Sequence, residues 1–496
     1  MATTRQSRPA RPRARYQAFR RVRAALAQAL LLPSLVACAT TPASSQQPAP
    51  IDSVNRYVIG EMMRQRIPGA SVAILRGDRI VLSRGYGVAN LELGVLASDS
   101  TIYQSGSMGK QFTAAGVVML AERGRLSLED RITRWLPEGA GVWDSITVRQ
   151  LLTHTGGVPE YTDSTFDYRK DYSEDDLVRF AAARPLDFTP GQRWSYSNTG
   201  YLLLGVLMHR VTGRFYGDVL QELIFRPVGM RTTRIISEAD IVPNRAAGYQ
   251  LIKNDIKNQD WVSPSLNTTA DGALYFSVKD LARWAVSLNH GRIPSEPGPT
   301  AAWTPVRLND GGTYPYGFGW DLSDQRGHPR VGHGGSWQGF QTAIYRYPEY
   351  DLTVIMLANL AQARPGAIVQ GIAGILQPDL RPPHVLAAPL SGEKTPVPIP
   401  DLLSQIVAGA SSAGVTPALH RFLSPAARKE WADLLGSTKS WSPLGCDVVA
   451  ERRITRLGSG VERVCYARGA GASGRLLVSV YYTADHRATY IDYYSF

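Results

Sequence analysis

Several patterns that would place a chain in a common functional class are missing from this sequence. Outside residues 24–37, no hydrophobic run is long enough for a transmembrane helix. The His-Glu-x-x-His pattern is absent and the eight histidines are scattered, which argues against a zinc hydrolase. Neither Ser105 nor Ser107 has the flanking glycines of Gly-x-Ser-x-Gly, which argues against a Ser-His-Asp hydrolase. Any catalytic chemistry must therefore come from a different arrangement of side chains.

The charge of the chain is concentrated at its N-terminus. The net charge is +12, but residues 1–50 contain eight arginines and neither lysine nor an acidic residue, so the remainder carries only about +4. No basic stripe and no basic patch interleaved with aromatic residues is present. We therefore expect no nucleic acid as a partner.

The first 50 residues have the pattern of an export signal. An arginine-rich start precedes the apolar run Ala24–Ala37, which is too short to span a bilayer comfortably. The segment Leu35–Cys38 resembles a bacterial lipoprotein processing site, which implies cleavage before Cys38 and lipidation of its thiol. We predict a signal peptide over residues 1–37, a tether over residues 38–50, and a periplasmic protein anchored to a membrane through Cys38. The alternative is an ordinary signal peptide in which Cys38 is incidental.

The length of 496 residues is too great for one ordinary domain. We predict a main domain over residues 51–376, a proline-rich linker over residues 377–400, and a small α+β domain over residues 401–496. In the small domain we predict a helix and a four-stranded meander: Pro417–Leu435, then Asp447–Ile454, Glu462–Ala467, Leu476–Tyr482 and Thr489–Tyr494. This order is loosely similar to cystatin-like or nuclear transport factor 2-like modules.

Two cysteines remain in the small domain. Cys446 and Cys465 lie nineteen residues apart and could form a disulfide in an oxidising periplasm. The alternative is a pair of buried free thiols. We assign no catalytic constellation to this domain, which either packs passively or gates a cleft.

The main domain has strand patterns at both ends and helical patterns between them. The predicted elements are the helix Ile51–Gln65, the strands Ala70–Leu75 and Ile80–Ser83 around the turn Arg76–Arg79, the helices Thr147–Leu152 and Tyr201–Val211, the strands Val331–Tyr347 and Leu352–Leu357 around the turn Pro348–Asp351, and the helix Ala367–Ile375. We predict an antiparallel sheet assembled from the two ends, an inserted helical lobe, and a cleft between them.

The stretch Gln104–Gly124 contains the first candidate for chemistry. It is predicted to be a helix entered through a Ser-Gly-Ser turn and ended by Gly124. Ser107 and Lys110 then project from one face, one turn apart. A serine hydroxyl needs a base beside it, and a lysine in a dry pocket loses its charge readily. Ser107 is therefore a candidate nucleophile with Lys110 as its base, although a helix cap and a surface charge would have the same spacing.

Two further patches meet the needs of such a nucleophile. Tyr196 and Asn198 point the same way in an extended segment, where a phenol can relay a proton and an amide can hold a substrate. Further on, His333-Gly334-Gly335-Ser336 opens a strand. Two glycines in a strand suggest close approach of a backbone or ligand, and the N–H that follows could complete an oxyanion hole with that of Ser107. The alternative for Tyr196 and Asn198 is a buried aromatic side chain beside a turn. The alternative for the His333 segment is a bend softened by its glycines, with a histidine that faces solvent.

In this order the three motifs resemble the serine β-lactamase and DD-peptidase superfamily, whose class A branch carries Ser-x-x-Lys, Ser-Asp-Asn and Lys-Thr-Gly. The Tyr-x-Asn form is closer to the class C β-lactamase, DD-carboxypeptidase and esterase branch. Three other stretches also resemble that branch, namely Leu151–Gly157, Trp194–Leu204 and Tyr316–Trp320. The resemblance covers roughly residues 50–380 and implies an α+β, β-lactamase/transpeptidase-like fold.

The resemblance also implies roles for single residues. Ser107 would be acylated, Lys110 and Tyr196 would share the proton shuttle, and Asn198 would position the substrate. The substrate would also contact His333, Gly334 and Gly335, and the Ser107 and Ser336 amides would form the oxyanion hole. The implied reaction is acyl transfer from an amide or ester through an acyl-enzyme, with no metal and no cofactor.

One departure narrows the expected substrates. His333 stands where efficient β-lactamases of this branch have a lysine that holds the substrate carboxylate. Histidine is shorter and mostly neutral at pH 7, so its hold on an anion is weaker. We therefore expect a DD-peptidase-like, D-aminopeptidase-like or esterase activity on small molecules or peptidoglycan peptides. A β-lactamase, or a catalytically weak envelope sensor that uses the same pocket, is the alternative, and the sequence leaves the oligomeric state open.

Overall fold

The computed structural model describes residues 50–161, 166–236, 240–291, 302–381 and 397–409, and in the C-terminal part residues 414–417, 419, 423, 425–448, 461–471 and 474–495. The predicted signal peptide, Cys38 and nearly all of the tether fall outside these ranges. Among the described residues, no helix combines the length and the apolar character needed to cross a membrane.

The helices are α1 Pro50–Gln65, α2 Lys110–Glu122, α3 Val148–Leu152, α4 Glu174–Ala182, α5 Asn198–Thr212, α6 Tyr216–Leu220, α7 Arg226–Val228, α8 Val278–Asn289, α9 Pro365–Leu376, α10 Ile399–Val407 and α11 Pro425–Ser437. The strands of the main domain are β1 Gly69–Arg76, β2 Arg79–Asn90, β3 Val95–Leu96, β4 Tyr103–Gln104, β5 Arg234–Ile235, β6 Tyr249–Ile252, β7 Asp255–Asn258, β8 Leu274–Phe276, β9 Val306–Arg307, β10 Thr313–Tyr314, β11 Asp321–Gln325, β12 His328–Trp337, β13 Phe340–Tyr347 and β14 Leu352–Ala358.

Within the described residues, the main sheet has seven antiparallel strands in the order β11-β12-β13-β14-β1-β2-β3. Strands from both ends of the domain therefore meet at the β1–β14 pair, where Val72 lies opposite Met356. The helical region between them forms the lobe. The predicted sheet with an inserted helical lobe is confirmed.

The sheet is covered on both faces, which explains why its central strands are continuous apolar runs. Side chains alternate along β1, so Val72 packs in the core that includes α1 and α9, and Ala73 packs in the larger core that includes α2, α5 and α8. Strand β14 is buried along its whole length. The sequence analysis placed both strands correctly.

The first hairpin turns where it was predicted, since Arg76 pairs with Arg79 and Gly77 has a φ of 54°. The prediction of a single strand over Val331–Tyr347 is wrong. Gln338 and Gly339 have φ values of 46° and 81° and make a tight turn between β12 and β13. Because glutamine is an uncommon residue at positive φ, the sequence gives a weak signal for this turn.

The helices that carry the candidate residues begin differently from the predictions. A 3-10 turn over Gly106–Gly109 precedes α2, and Gly124, with a φ of 67°, follows its end as predicted. Helix α5 begins at Asn198 rather than Tyr201, because the Ser197 hydroxyl accepts the backbone N–H of Gly200 and caps the first turn.

The C-terminal part has a core of its own, built from α10, α11 and the meander β15 Thr438–Val448, β16 Val461–Gly471, β17 Gly474–Thr483 and β18 Ala488–Ser495. The predicted meander is present, and a disulfide joins Cys446 to Cys465 across β15 and β16. The predicted first strand, Asp447–Ile454, has the wrong start, since the strand begins at Thr438, and residues 449–454 lie outside the described ranges. Proline and glycine are unfavourable inside a strand, but a register shift in the pairing accommodates Pro443 and Gly445.

The predicted linker over residues 377–400 is described only at its ends. Pro378–Leu380 forms a 3-10 turn whose Leu380 side chain is fully buried, and α10 already begins at Ile399. Residues 382–396 lie outside the described ranges. The predicted helix Pro417–Leu435 corresponds to α11, and the residues just before α11 are described only in part.

Candidate active site

Ser107 lies in the 3-10 turn that leads into α2. Gly106 before it has a φ of 51°, a conformation that glycine adopts at little cost. A Cβ atom at Gly106 would lie 2.3 Å from the backbone N of Ser336, and one at Gly272 would lie 3.0 Å from the carbonyl carbon of Gly106. The turn that presents Ser107 is therefore confined on two sides by other backbone segments.

Lys110 is fully buried at the start of α2. Its Nζ lies 3.1 Å from Ser107 Oγ, 2.7 Å from Asn198 Oδ1 and 2.6 Å from the backbone O of Asp271. The two carbonyl oxygens can only accept, so they take two N–H bonds. The third bonding direction of Nζ points to the Ser107 hydroxyl. There Nζ can donate a hydrogen bond as an ammonium, or accept the serine proton as an amine. The surroundings of Nζ therefore fit Lys110 both before and after it takes up the serine proton.

Tyr196 borders the same cleft as Ser107. The centre of its ring lies 5.0 Å from Lys110 Nζ. Its hydroxyl is buried and has no hydrogen-bond partner within the described part of the chain. A phenol without a partner of its own is available to exchange a proton with the nucleophile, its base or a leaving group.

His333 lies in the middle of β12, at the point where pairing with β11 ends. Its Nδ1 lies 2.6 Å from the backbone O of Gly334, and its Nε2 lies 2.9 Å from the hydroxyl of Tyr316. Because a carbonyl only accepts, Nδ1 carries the proton and the Tyr316 hydroxyl donates to Nε2. Burial lowers the pKa of His333 to about 4, so the ring is neutral at pH 7.

This geometry changes the expectation for His333. The ring is buried, so the alternative of a solvent-facing histidine is wrong. The ring borders the cleft, but both nitrogens are engaged within the protein. A substrate anion at this position would meet a neutral ring whose only N–H is already donated, so His333 does not replace the charge of a lysine.

Strand β12 closes onto the turn of Ser107. A Cβ atom at Gly335 would lie 2.1 Å from the backbone O of Ser105, so this position requires glycine. The Thr342 hydroxyl of β13 donates to the same oxygen at 2.8 Å and reinforces the contact. At Gly334 an added Cβ would meet one atom within 4 Å, the backbone O of Thr342 at 3.4 Å. The predicted oxyanion donors, the amides of Ser107 and Ser336, thus belong to facing backbone segments.

Two acidic residues beside the site were not among the residues predicted from the sequence. Glu160 accepts the backbone N–H of Asn198 at the start of α5, and burial raises the pKa of its carboxyl. Asp271 accepts from Lys110 through its backbone O and from the Tyr161 hydroxyl, at 3.1 Å, through its side chain. Neither residue belongs to a motif whose pattern would have identified it.

Two aromatic partners of the site lie in stretches that the sequence analysis had noted for another reason. His154 packs at a ring-centre distance of 4.3 Å from Tyr196, and Tyr316 donates to His333. Both stretches supported the resemblance, but their contacts with the site could not be read from the sequence.

The cleft beside Ser107 has a volume of about 560 Å³ and extends to the first turn of α9. A cleft of this size accommodates a small molecule or the end of a peptide. The site thus combines a serine next to a buried amine, a phenol that borders the cleft, and facing backbone amides, which are the groups that acyl transfer requires.

The chain is similar in sequence to several known proteins. A family model described as Beta-lactamase matches residues 54–373. A penicillin-binding protein of Bacillus subtilis (strain 168) is 31% identical over 306 residues, which cover 58% of this chain and 67% of that protein. Protein flp of Staphylococcus aureus (strain MW2) is 26% identical over 330 residues, which cover 62% of each chain. The chain thus spans roughly two thirds of the length of these curated relatives.

Solved structures show the same fold. A D-stereospecific amidohydrolase from Streptomyces sp. has a TM-score of 0.56 and 26% identity, over 66% of this chain and 98% of that one. An octameric penicillin-binding protein homologue from Pyrococcus abyssi has a TM-score of 0.60 and 22% identity, over 90% of this chain and 96% of that one. At 22% identity the second likeness shows the fold alone.

Proposed function

Because the chain belongs to the Beta-lactamase family, we propose that it is a serine hydrolase that cleaves amide or ester bonds through an acyl-enzyme on Ser107. One observation carries the proposal. The buried Nζ of Lys110 is held by two carbonyl oxygens so that its third position faces the Ser107 hydroxyl at 3.1 Å. This contact joins a nucleophile to a base that burial keeps from bulk water.

In the proposed first step the Ser107 hydroxyl gives its proton to Lys110 while Oγ attacks the substrate carbonyl carbon. The carbonyl π electrons move to the oxygen, and the amides of Ser107 and Ser336 donate to the resulting oxyanion. The leaving nitrogen or oxygen takes a proton from the Tyr196 hydroxyl, and Lys110 returns one to that phenol. Water then hydrolyses the Ser107 ester by the reverse sequence of proton transfers.

The neutral, internally bonded ring of His333 favours substrates that do not depend on a strong carboxylate contact. We therefore propose a DD-peptidase-like, D-aminopeptidase-like or esterase activity rather than efficient hydrolysis of β-lactam antibiotics. The likeness to the amidohydrolase from Streptomyces supports the choice of amides with a D-configured residue as one substrate class.

A turnover panel tests this proposal. Its members are p-nitrophenyl esters, a D-alanine amide, D-Ala-D-Ala peptides and a cephalosporin, and the enzymes are wild type, Ser107→Ala and His333→Lys. We expect ester or amide turnover by wild type, none by Ser107→Ala, and little cephalosporin hydrolysis unless His333 is replaced by lysine. Rapid cephalosporin hydrolysis by wild type would contradict our interpretation of His333.

A sensor that uses the same pocket would behave differently. A fluorescent acylating probe should bind Ser107 in both cases, but a hydrolase releases the label with time and a sensor keeps it. A persistent adduct without turnover of any substrate in the panel would therefore overturn the proposal.

We further propose that the protein is exported and anchored through a lipid on Cys38, which lies outside the described residues. The support is the apolar run Ala24–Ala37 followed directly by Cys38 and a polar tether. Growth with labelled palmitate should label the wild type and not Cys38→Ser. Equal labelling of the two proteins, or none of the wild type, would contradict the anchor.

A further inference from the structure

The hydroxyl of Tyr196 presents a problem of positioning. It has no hydrogen-bond partner in the described part of the chain, so no polar contact fixes where it points. A proton-transfer group must nevertheless come within hydrogen-bond reach of the atoms it serves when the substrate is bound. Packing of the ring and restraint of the neighbouring backbone must therefore hold this phenol in place.

His154 supplies both kinds of contact. Its backbone O accepts the N–H of Ser195 at 3.0 Å, and its Nδ1 accepts the N–H of Ser197 at 3.1 Å. Between these two bonds its ring packs against the ring of Tyr196, with 4.3 Å between the ring centres and 35° between the planes. One residue thus holds three successive positions of the segment that carries the phenol.

The backbone of His154 is held in an unusual conformation. Its φ is 58°, in the left-handed region that residues other than glycine adopt uncommonly, although histidine does so more often than most. Such a conformation has an energetic cost and persists where the surroundings over-determine it. The neighbouring Thr155 contributes to this restraint, because its backbone O accepts the N–H of Gly191 at 2.8 Å.

The protonation state of His154 excludes a role as acid or base. Because Nδ1 accepts a backbone N–H, the ring proton is on Nε2, which is buried without an acceptor among the described residues. Around it lie the rings of Tyr201 and Tyr316, at centre distances of 5.0 and 4.8 Å. Burial, with a smaller contribution from the charge of Lys110, keeps the pKa of His154 well below its ordinary value.

We propose that His154 is a positioning residue that holds the phenol of Tyr196 in the cleft that Ser107 borders, by stacking on its ring and bonding the backbone beside it. The inference rests on the proposed function, because it explains how Tyr196 is kept where it can transfer a proton. A shift of the phenol should impair reactions whose leaving group needs a proton and spare those whose leaving group does not.

The test compares two esters of the same acid, one with a p-nitrophenolate leaving group and one with an alkoxide. The p-nitrophenolate leaves without protonation, whereas the alkoxide needs a proton, and general acid catalysis is typically worth 10²–10⁴-fold. In His154→Asn the side-chain oxygen can still accept the Ser197 N–H and asparagine tolerates a positive φ, but the ring is lost. We expect the ratio of kcat/KM for the two esters to change at least tenfold, mainly through kcat, as in Tyr196→Phe.

The matched control is Val148→Ala, which removes a buried side chain from α3 and does not border the cleft. It should lower the melting temperature while leaving the ratio unchanged. If His154→Asn lowers both reactions equally, or neither, the inference is overturned. If that variant does not fold, His154→Gln also removes the ring while keeping an acceptor, and the same expectation applies to it.

The experiment distinguishes a failure of the proposed function from a failure of the role of His154. Absence of ester turnover by wild type would refute the proposed function itself. If wild type turns over both esters and Tyr196→Phe changes their ratio while the His154 variants do not, the role of Tyr196 stands and that of His154 fails.

Discussion

Replacing Gly106 by alanine should disrupt a close backbone contact of the site. A Cβ atom there would lie 2.3 Å from the backbone N of Ser336, whereas ordinary van der Waals contact begins at 3.4 Å. One of the two backbone segments must therefore move by about 1 Å. The φ of 51° at Gly106 adds strain of roughly 1–2 kcal/mol for alanine.

The movement separates the two amides that we assign to the oxyanion hole. Loss of one such donor typically costs 10²–10³-fold in kcat, and a displacement of 1 Å can cost about 10²-fold. We therefore expect Gly106→Ala to lower kcat/KM for a p-nitrophenyl ester by about 10²-fold or more.

Gly124 provides a matched control near the end of the same helix. Its φ is 67°, similar to that of Gly106, but an added Cβ would meet no atom within 4 Å. Gly124→Ala should therefore lose a similar amount of stability through strain and retain its activity. Measuring the melting temperature and kcat/KM of both variants separates strain from displacement. Equal activity in the two variants, within about threefold, would refute the reasoning about the oxyanion hole.

Three further predictions concern other residues. Burial lowers the pKa of His333 from 6.5 to about 4, so its stabilising contribution is complete above pH 6.5 and is lost as the pH falls towards 4. As the pH falls from 6.5 to 4, the unfolding free energy measured in urea titrations should fall by up to about 3 kcal/mol more for wild type than for His333→Asn. Parallel pH profiles of the two proteins would contradict this. Glu160→Gln retains an acceptor for the backbone N–H of Asn198 and should keep most of the esterase activity, whereas Glu160→Ala loses that acceptor and should raise KM. Equal KM values in the two variants would argue against a role of Glu160 in positioning Asn198. The Cys446–Cys465 disulfide closes a sequence separation of 19 residues, so its reduction should lower the stability of the C-terminal part by about 3 kcal/mol. An unchanged calorimetric transition after reduction would exclude that contribution.

The local parts of the site could be predicted from the sequence. Ser107 and Lys110 lie one helical turn apart, so their proximity follows from helix geometry alone. The end of α2 at Gly124 follows from the preference of glycine for positive φ, and the position of β14 follows from its continuous apolar run. Each of these features depends on residues that are close in the chain.

The contacts between distant segments could not be predicted in this way. Asp271 serves Lys110 through a backbone oxygen, which any residue type could provide. The neutral state of His333 depends on its burial, and its tautomer is set in part by Tyr316, seventeen residues earlier. The turn at Gln338 and the register shift at Pro443 contain residues whose preferences oppose the observed conformation, so tertiary pairing decides both.

The central claim is that Ser107 becomes acylated and that Lys110 activates it. Rapid mixing with a p-nitrophenyl ester, acid quenching and peptide mass spectrometry measure this directly. We expect an added acyl mass on the peptide that contains Ser107, formed at a rate that falls by at least 10²-fold in Lys110→Ala and absent in Ser107→Ala. Turnover of the ester with no acyl mass on that peptide, or with the acyl group on another residue, would contradict the account.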